Sequence, residues 1–107
     1  MSDWHDLLPL SELPVGAVKR FEISGEPIAV ANTAEGVFAV SDTCSHAEVS
    51  LSDGEVNGCL IECWMHGASF DLRTGAPTGP PATKAIEVFP VQIHGENAMI
   101  SVQVSGI

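Results

Sequence analysis

Residues 44–66, CSHAEVSLSDGEVNGCLIECWMH, hold all three cysteines of the 107-residue chain and two of its four histidines. Cys44 and His46 form C-x-H, Cys63 and His66 form C-x-x-H, and sixteen residues separate His46 from Cys63. Thiolate and imidazole together suit zinc, iron or copper and leave calcium and magnesium aside. Four such ligands would satisfy a tetrahedral zinc. Zinc knuckles, however, usually pair cysteine with cysteine and group the histidines in the other half. Here each pair supplies one ligand of each kind.

That mixture suits two inequivalent metals, with each pair giving one ligand to each. In a Rieske [2Fe–2S] centre two cysteines hold one iron and two histidines hold the other. The chain resembles the Rieske proteins, and most closely the small Rieske-type ferredoxins. The resemblance rests on Cys44-Ser45-His46, on Cys63-Trp64-Met65-His66-Gly67 and on Phe70-Asp71-Leu72-Arg73-Thr74-Gly75. It extends to Gly79-Pro80-Pro81-Ala82, which is similar to the family's proline loop beside the cluster. It implies Cys44, His46, Cys63 and His66 as the ligands of one [2Fe–2S] cluster. It also implies an antiparallel β-sandwich or barrel, with a cluster-binding subdomain inserted at about residues 42–82. A non-redox module holding zinc is the competing reading, since both metals take these ligand types.

Cys59 matches no ligand position, and a third cysteine exceeds the two that such a centre uses. As a free cysteine in an expected strand it reads as a small core hydrophobe. A redox-sensing thiol is the alternative, and the neighbouring sequence supplies no cation to lower its pKa.

The elements that would position the pairs are strands. Val18–Ile23, Ile28–Asn32 and Val37–Ser41 are short β-branched or alternating runs, with turns expected at Ser24–Pro27 and Glu35-Gly36. Further strands are expected at Cys59–Cys63, Ser69–Arg73, Ile86–Ile93 and Ala98–Val104. Thr74-Gly75 and His94–Asn97 supply turns. Leu7–Leu13 and Ala47–Leu51 are expected as single helical turns. The result is an all-β, single-domain chain in which both ligand pairs sit in loops beside strands.

Composition narrows the partners. Fourteen acidic residues against four basic ones give a formal charge of −10. Such a surface repels nucleic acid and anionic membranes and favours basic protein faces. The N-terminal stretch lacks a basic n-region and is broken by Pro9 and Pro14, and no apolar run approaches a membrane span. An odd cysteine count argues for a reducing compartment, so a cytoplasmic location is expected.

Rieske oxygenase large subunits carry a second domain whose mononuclear iron is held by two histidines and a carboxylate. The remaining histidines, His5 and His94, lie at opposite ends and are expected as surface or turn residues. The resemblance therefore implies a monomeric electron shuttle, taking single electrons from a flavin reductase and passing them to a terminal oxygenase. The small subunit of an assimilatory nitrite reductase is the alternative within the same fold.

Of the supporting residues, Trp64 and Met65 are expected either to line a docking surface or to cover the cluster. Pro80 and Pro81 are expected to stiffen their loop, and Gly67 to admit close approach of the backbone. Asp42, Glu48 and Asp53 are expected as solvated loop residues or as a face for a basic partner. Trp4 and Leu7-Leu8 are expected to pack over the sheet or to pin the N-terminus.

High-potential Rieske proteins carry an extra disulfide between the loops and two hydroxyl donors near the cluster. The matching positions here are Val49 and Met65, and Ala68 and Phe70. Fewer donors favour the oxidised form, while neutral histidines keep the potential above that of all-cysteine ferredoxins. Voltammetry should give a midpoint potential on the order of −150 mV, flat near neutral pH and falling in alkali as the metal-bound imidazoles lose a proton. A value above about +100 mV contradicts the argument.

Overall fold

The segment EPIAVANT, residues 26–33, shows why the molecule is built in layers. The computed structural model describes residues 4–23, 25–43, 50–63, 69–78 and 85–104. Ten strands occur among them. They are β1 (Trp4–Pro9), β2 (Val18–Ile23), β3 (Glu26–Thr33), β4 (Gly36–Ser41), β5 (Glu55–Asn57), β6 (Leu60–Glu62), β7 (Ser69–Asp71), β8 (Val88–Phe89), β9 (Val91–His94) and β10 (Met99–Gln103). Every pairing is antiparallel. Residues 28–33 of β3 are all buried. Successive side chains of a strand point to opposite faces, so such a strand needs cover on both sides.

β3 lies inside a four-stranded sheet of order β2-β3-β4-β8. Its larger residues, Ile28 and Val30, pack with Leu8, Phe89, Ile100 and Val102. That side is covered by the sheet β1-β10-β9. Its alanines, Ala29 and Ala31, pack on the other side with Val40, Leu51, Ile61, Cys63, Phe70 and Leu72. There the cover is the small sheet β5-β6-β7. Alanine leaves room on this side for the bulky Ile61 and Phe70 of the small sheet.

Thus the antiparallel all-β class is what the structure shows. No helix of the described residues is long and apolar enough to cross a membrane. Two 3-10 turns, Leu10–Glu12 and Leu51–Asp53, are the helical elements described. Leu7–Pro9, expected in a helical turn, is strand instead, because β1 pairs along β10 and the turn is confined to Leu10–Glu12. The Ser24–Pro27 turn is shorter than expected, since Ile23 already pairs with Glu26. The expected strand Ile86–Ile93 is divided at Pro90 between two sheets, for proline has no N–H to give to a ladder. Strand β5 was not expected, and of the Ala47–Leu51 turn residues 47–49 lie outside the described ones.

Strand pairing also gives His94 partners that its position near the C-terminus hides. Asp6 stands directly opposite Ser101 across β1 and β10. Nε2 of His94 lies 3.0 Å from Asp6 Oδ1 and 2.9 Å from Ser101 Oγ. The Ser101 hydroxyl donates to Asp6 Oδ1. That hydroxyl, and then the imidazole, hold the Asp6 carboxyl below its ordinary range. The contribution to stability is therefore complete above the unfolded pKa of about 3.9 and is lost as pH falls through the lower folded value. In a carboxyl-carbon NMR titration, Ser101→Ala should move the Asp6 midpoint up toward that ordinary value, and His94→Gln should move it less. An unmoved midpoint in Ser101→Ala would contradict this assignment.

Candidate metal centre

Of the four expected ligands, Cys63 falls within the described residues. Cys44, His46 and His66 lie outside them, as do Glu48, Val49, Trp64, Met65, Gly67, Ala68, Pro80 and Pro81. Cys63 follows β6 directly. Its thiol is free and the residue is fully buried, packed among Leu51, Phe70, Leu72 and Ile86. Phe70, where the high-potential proteins carry a tyrosine, is likewise fully buried and brings no hydroxyl.

The ends of the loops that hold the expected ligands are closed by pairing. Glu62 stands opposite Ser69, so the chain leaves after Cys63 and returns beside its point of departure. Thr43 bridges Ser50 and closes residues 44–49 in the same way. The proline-rich segment departs from the same neighbourhood, since Thr78 N–H donates to Ser69 O at 2.9 Å. It returns where Ile86 N–H donates to Gly75 O, also at 2.9 Å.

These bases are joined through Asp42 and Gly54. Asp42 was expected on a solvated loop, and this is corrected by its burial, for 1% of it is exposed. One carboxylate oxygen accepts from Arg20 Nε at 3.0 Å and the other from the backbone of Ser52 at 2.8 Å. Its own N–H donates to Pro27 O, and its carbonyl accepts from Leu51 N–H. A sequence signal for this burial did exist. Asp42 has the two-residue parity of Val40, whose side chain points into the core. Past the 3-10 turn, Gly54 comes so close to β6 that an added Cβ would lie 1.7 Å from the carbonyl oxygen of Glu62. Asp53, by contrast, is exposed as expected.

A second charged group ties the small sheet to the β3–β4 turn. The Arg73 guanidinium lies 3.2 Å from both Asp71 carboxylate oxygens and 3.4 Å from Glu35 Oε1. It holds the Asp71 carboxyl below its ordinary range. Cys59 sits beside this group, with its sulfur 3.8 Å from Thr33 Oγ1. Burial first and Glu35 next push its thiol up, and Arg73 opposes them only weakly. A cation does stand near, contrary to expectation, yet the thiol remains a protonated core group.

Chemically, the described part of the site fits a metal. Cys63 offers a soft sulfur donor that no disulfide occupies, a donor type that suits iron and zinc. Among the described residues no group of three or more His, Cys, Asp or Glu converges on a metal position.

A sequence profile of the Rieske [2Fe-2S] domain matches residues 3–90. The chain belongs to the Rieske family. Membership makes an iron–sulfur cluster its cofactor. This Rieske chain is 37% identical over 92 residues to the ferredoxin component of biphenyl 2,3-dioxygenase from Rhodococcus jostii, covering 86% of each sequence. The solved ferredoxin of carbazole 1,9a-dioxygenase from Nocardioides aromaticivorans superposes with a TM-score of 0.91 at 32% identity, covering 97% of this chain and all of that one. A ferredoxin solved in complex with the oxygenase of a carbazole 1,9a-dioxygenase matches with a TM-score of 0.88, at 32% identity and 96% and 94% coverage. A protein assigned as the small subunit of an NADH-dependent nitrite reductase from Mycobacterium tuberculosis shares the fold, with a TM-score of 0.86 and 100% and 99% coverage, at 17% identity. That last likeness is one of fold alone.

The turn after β7 gives a test of how tightly the Rieske chain is closed here. Gly75 has φ +79°, and an added Cβ would lie 2.0 Å from Ile86 O, whereas Gly95 has the same φ and open space around it. Gly95→Ala should cost about 1 kcal/mol for its backbone alone. Gly75→Ala should cost about 3 kcal/mol or more, because the Ile86 backbone must also move. Equal losses in chemical unfolding would show that the close approach contributes nothing.

Proposed function

We propose that this Rieske protein is a one-electron carrier that takes electrons from a flavin-dependent reductase and delivers them to a terminal oxygenase acting on aromatic rings. The ligands in this reading are Cys44, His46, Cys63 and His66, two cysteines on one iron and two histidines on the other. The observation that carries it is the Rieske [2Fe-2S] match over residues 3–90, in a chain whose relatives along their lengths are ferredoxin components. Bound there, a [2Fe–2S] cluster supplies a reversible one-electron couple.

The chain's own residues do the rest. Leu51, Phe70, Leu72 and Ile86 keep water from the Cys63 sulfur. The paired bases at Thr43 and Ser50, and at Glu62 and Ser69, keep the loop ends from separating as charge comes and goes. Small rearrangement on electron gain favours fast transfer in both directions. The cluster-binding subdomain in this reading runs over about residues 42–82, within which β5, β6 and β7 form a sheet of their own. A surface with a net charge of −10 attracts basic faces on both partners in turn. The carrier works as a cytoplasmic monomer, free to leave one partner for the next.

Purified protein should contain two irons and two acid-labile sulfides, whereas zinc without sulfide would remove the electron-transfer reading. In a mixture of NADH, a flavin reductase and an aromatic-ring oxygenase, product formation should require the chain and slow as salt rises. Cys63→Ser should lose iron and abolish transfer. Product formed at the same rate without the chain would contradict the proposal.

A further inference from the structure

We propose that Asp42, held by Arg20, is the positioning residue for the first ligand loop. This rests on the cluster assignment made above. Asp42 immediately precedes the Thr43↔Ser50 bridge that closes residues 44–49. All four of its polar groups are engaged, and they reach three parts of the chain: β2, β3 and the 3-10 turn. The backbone N–H reaches Pro27 O in β3, at 3.0 Å, and the carbonyl receives Leu51 N–H, at 2.6 Å. Oδ1 receives Ser52 N–H at 2.8 Å, and Oδ2 receives Arg20 Nε of β2 at 3.0 Å. One residue therefore fixes both ends of the loop against the central sheet.

The ion pair is not an ordinary surface bridge. Asp42 is 1% exposed while Arg20 is 46% exposed, so the carboxylate depends on its partners where the arginine does not. A buried carboxylate stripped of its partner is costly, whereas exposed pairs contribute little. The chain has only four basic residues against fourteen acidic ones, and one of the four is committed here.

The restraint reaches the second loop as well. Leu51 and Ser52, which Asp42 holds, begin the 3-10 turn that ends at Gly54. Gly54 abuts the carbonyl of Glu62, the residue before Cys63. Arg20, Asp42, the turn and Gly54 thus form a continuous spacer that sets how far the two loop bases stand apart. Ligand separation governs the electronic environment of the metals, so the spacer acts on the potential and not merely on stability.

The test uses loaded protein, with the visible circular dichroism of the cluster, its midpoint potential and the rate of iron loss to a chelator read alongside thermal unfolding. Asp42→Ala should change the dichroism, shift the potential and speed iron loss about tenfold or more, the scale expected for hydrogen bonds to a buried charge. Asp42→Asn keeps an acceptor for Ser52 N–H and should restore part of each. Arg20→Gln, which removes the partner of Oδ2 from a half-exposed side chain, should alter the same three readings in the same direction, and it serves if Asp42→Ala does not fold. Variants that melt earlier but match the wild-type dichroism and potential overturn the inference and leave the cluster reading intact. Wild-type protein without iron or sulfide would overturn both.

Discussion

A strand buried on both faces has no side left for water, and β3 is such a strand over residues 28–33. Everything else in the fold answers to that constraint. Ile28 and Val30 demand an apolar cover, which β1 and β10 supply through Leu8, Ile100 and Val102. Ala29 and Ala31 demand less volume, and the small sheet fills the space with Ile61 and Phe70. The alternation of large and small residues along one strand thus separates a structural side from the side that carries Cys63. The bases of both proposed ligand loops, at Thr43 with Ser50 and at Glu62 with Ser69, are thereby anchored beside the core.

Rigidity at that margin comes from backbone closures and two charged groups, because a few short strands have little surface to pair. β5, β6 and β7 are three residues each. Arg20 with Asp42 ties the first loop to the central sheet, and Arg73 with Asp71 and Glu35 ties the far end of the small sheet to the β3–β4 turn. Glycines complete the closures where the backbones meet. Gly54 and Gly75 each face a carbonyl oxygen at a distance no β-carbon tolerates. In an acidic chain, placing two of four basic residues at these joints shows where structure depends on charge.

Much of this was legible in the sequence, for identifiable reasons. Strands β2, β3 and β4 announce themselves through β-branched runs and turn residues, and Val18–Ile23 is reproduced residue for residue. The Cys-with-His pairs point to metal chemistry because ligand type and order are local properties, and family membership bears out the iron–sulfur cofactor while the ligand set stays a proposal. What stayed hidden was set by distant partners. β1 owes its extended form to β10, from the other end of the chain, and so does the meeting of Asp6 with His94. The break at Pro90 was visible as a proline, yet only the sheet assignment shows that it passes the chain from one layer to another. The charge of Asp42 suggests a solvated residue where strand parity suggests a buried one, and its burial depends on an arginine 22 positions away.

Family membership and the burial of Cys63 leave one claim on which the account turns, that both loops ligate one cluster with mixed cysteine and histidine. The electron paramagnetic resonance spectrum of the purified protein after dithionite reduction tests it most directly, because it reports all four ligands at once. A [2Fe–2S] centre with two histidines on one iron should give a rhombic signal with a low average g-value. The higher average g-value of an all-cysteine cluster, or a silent and colourless sample containing zinc, would contradict it.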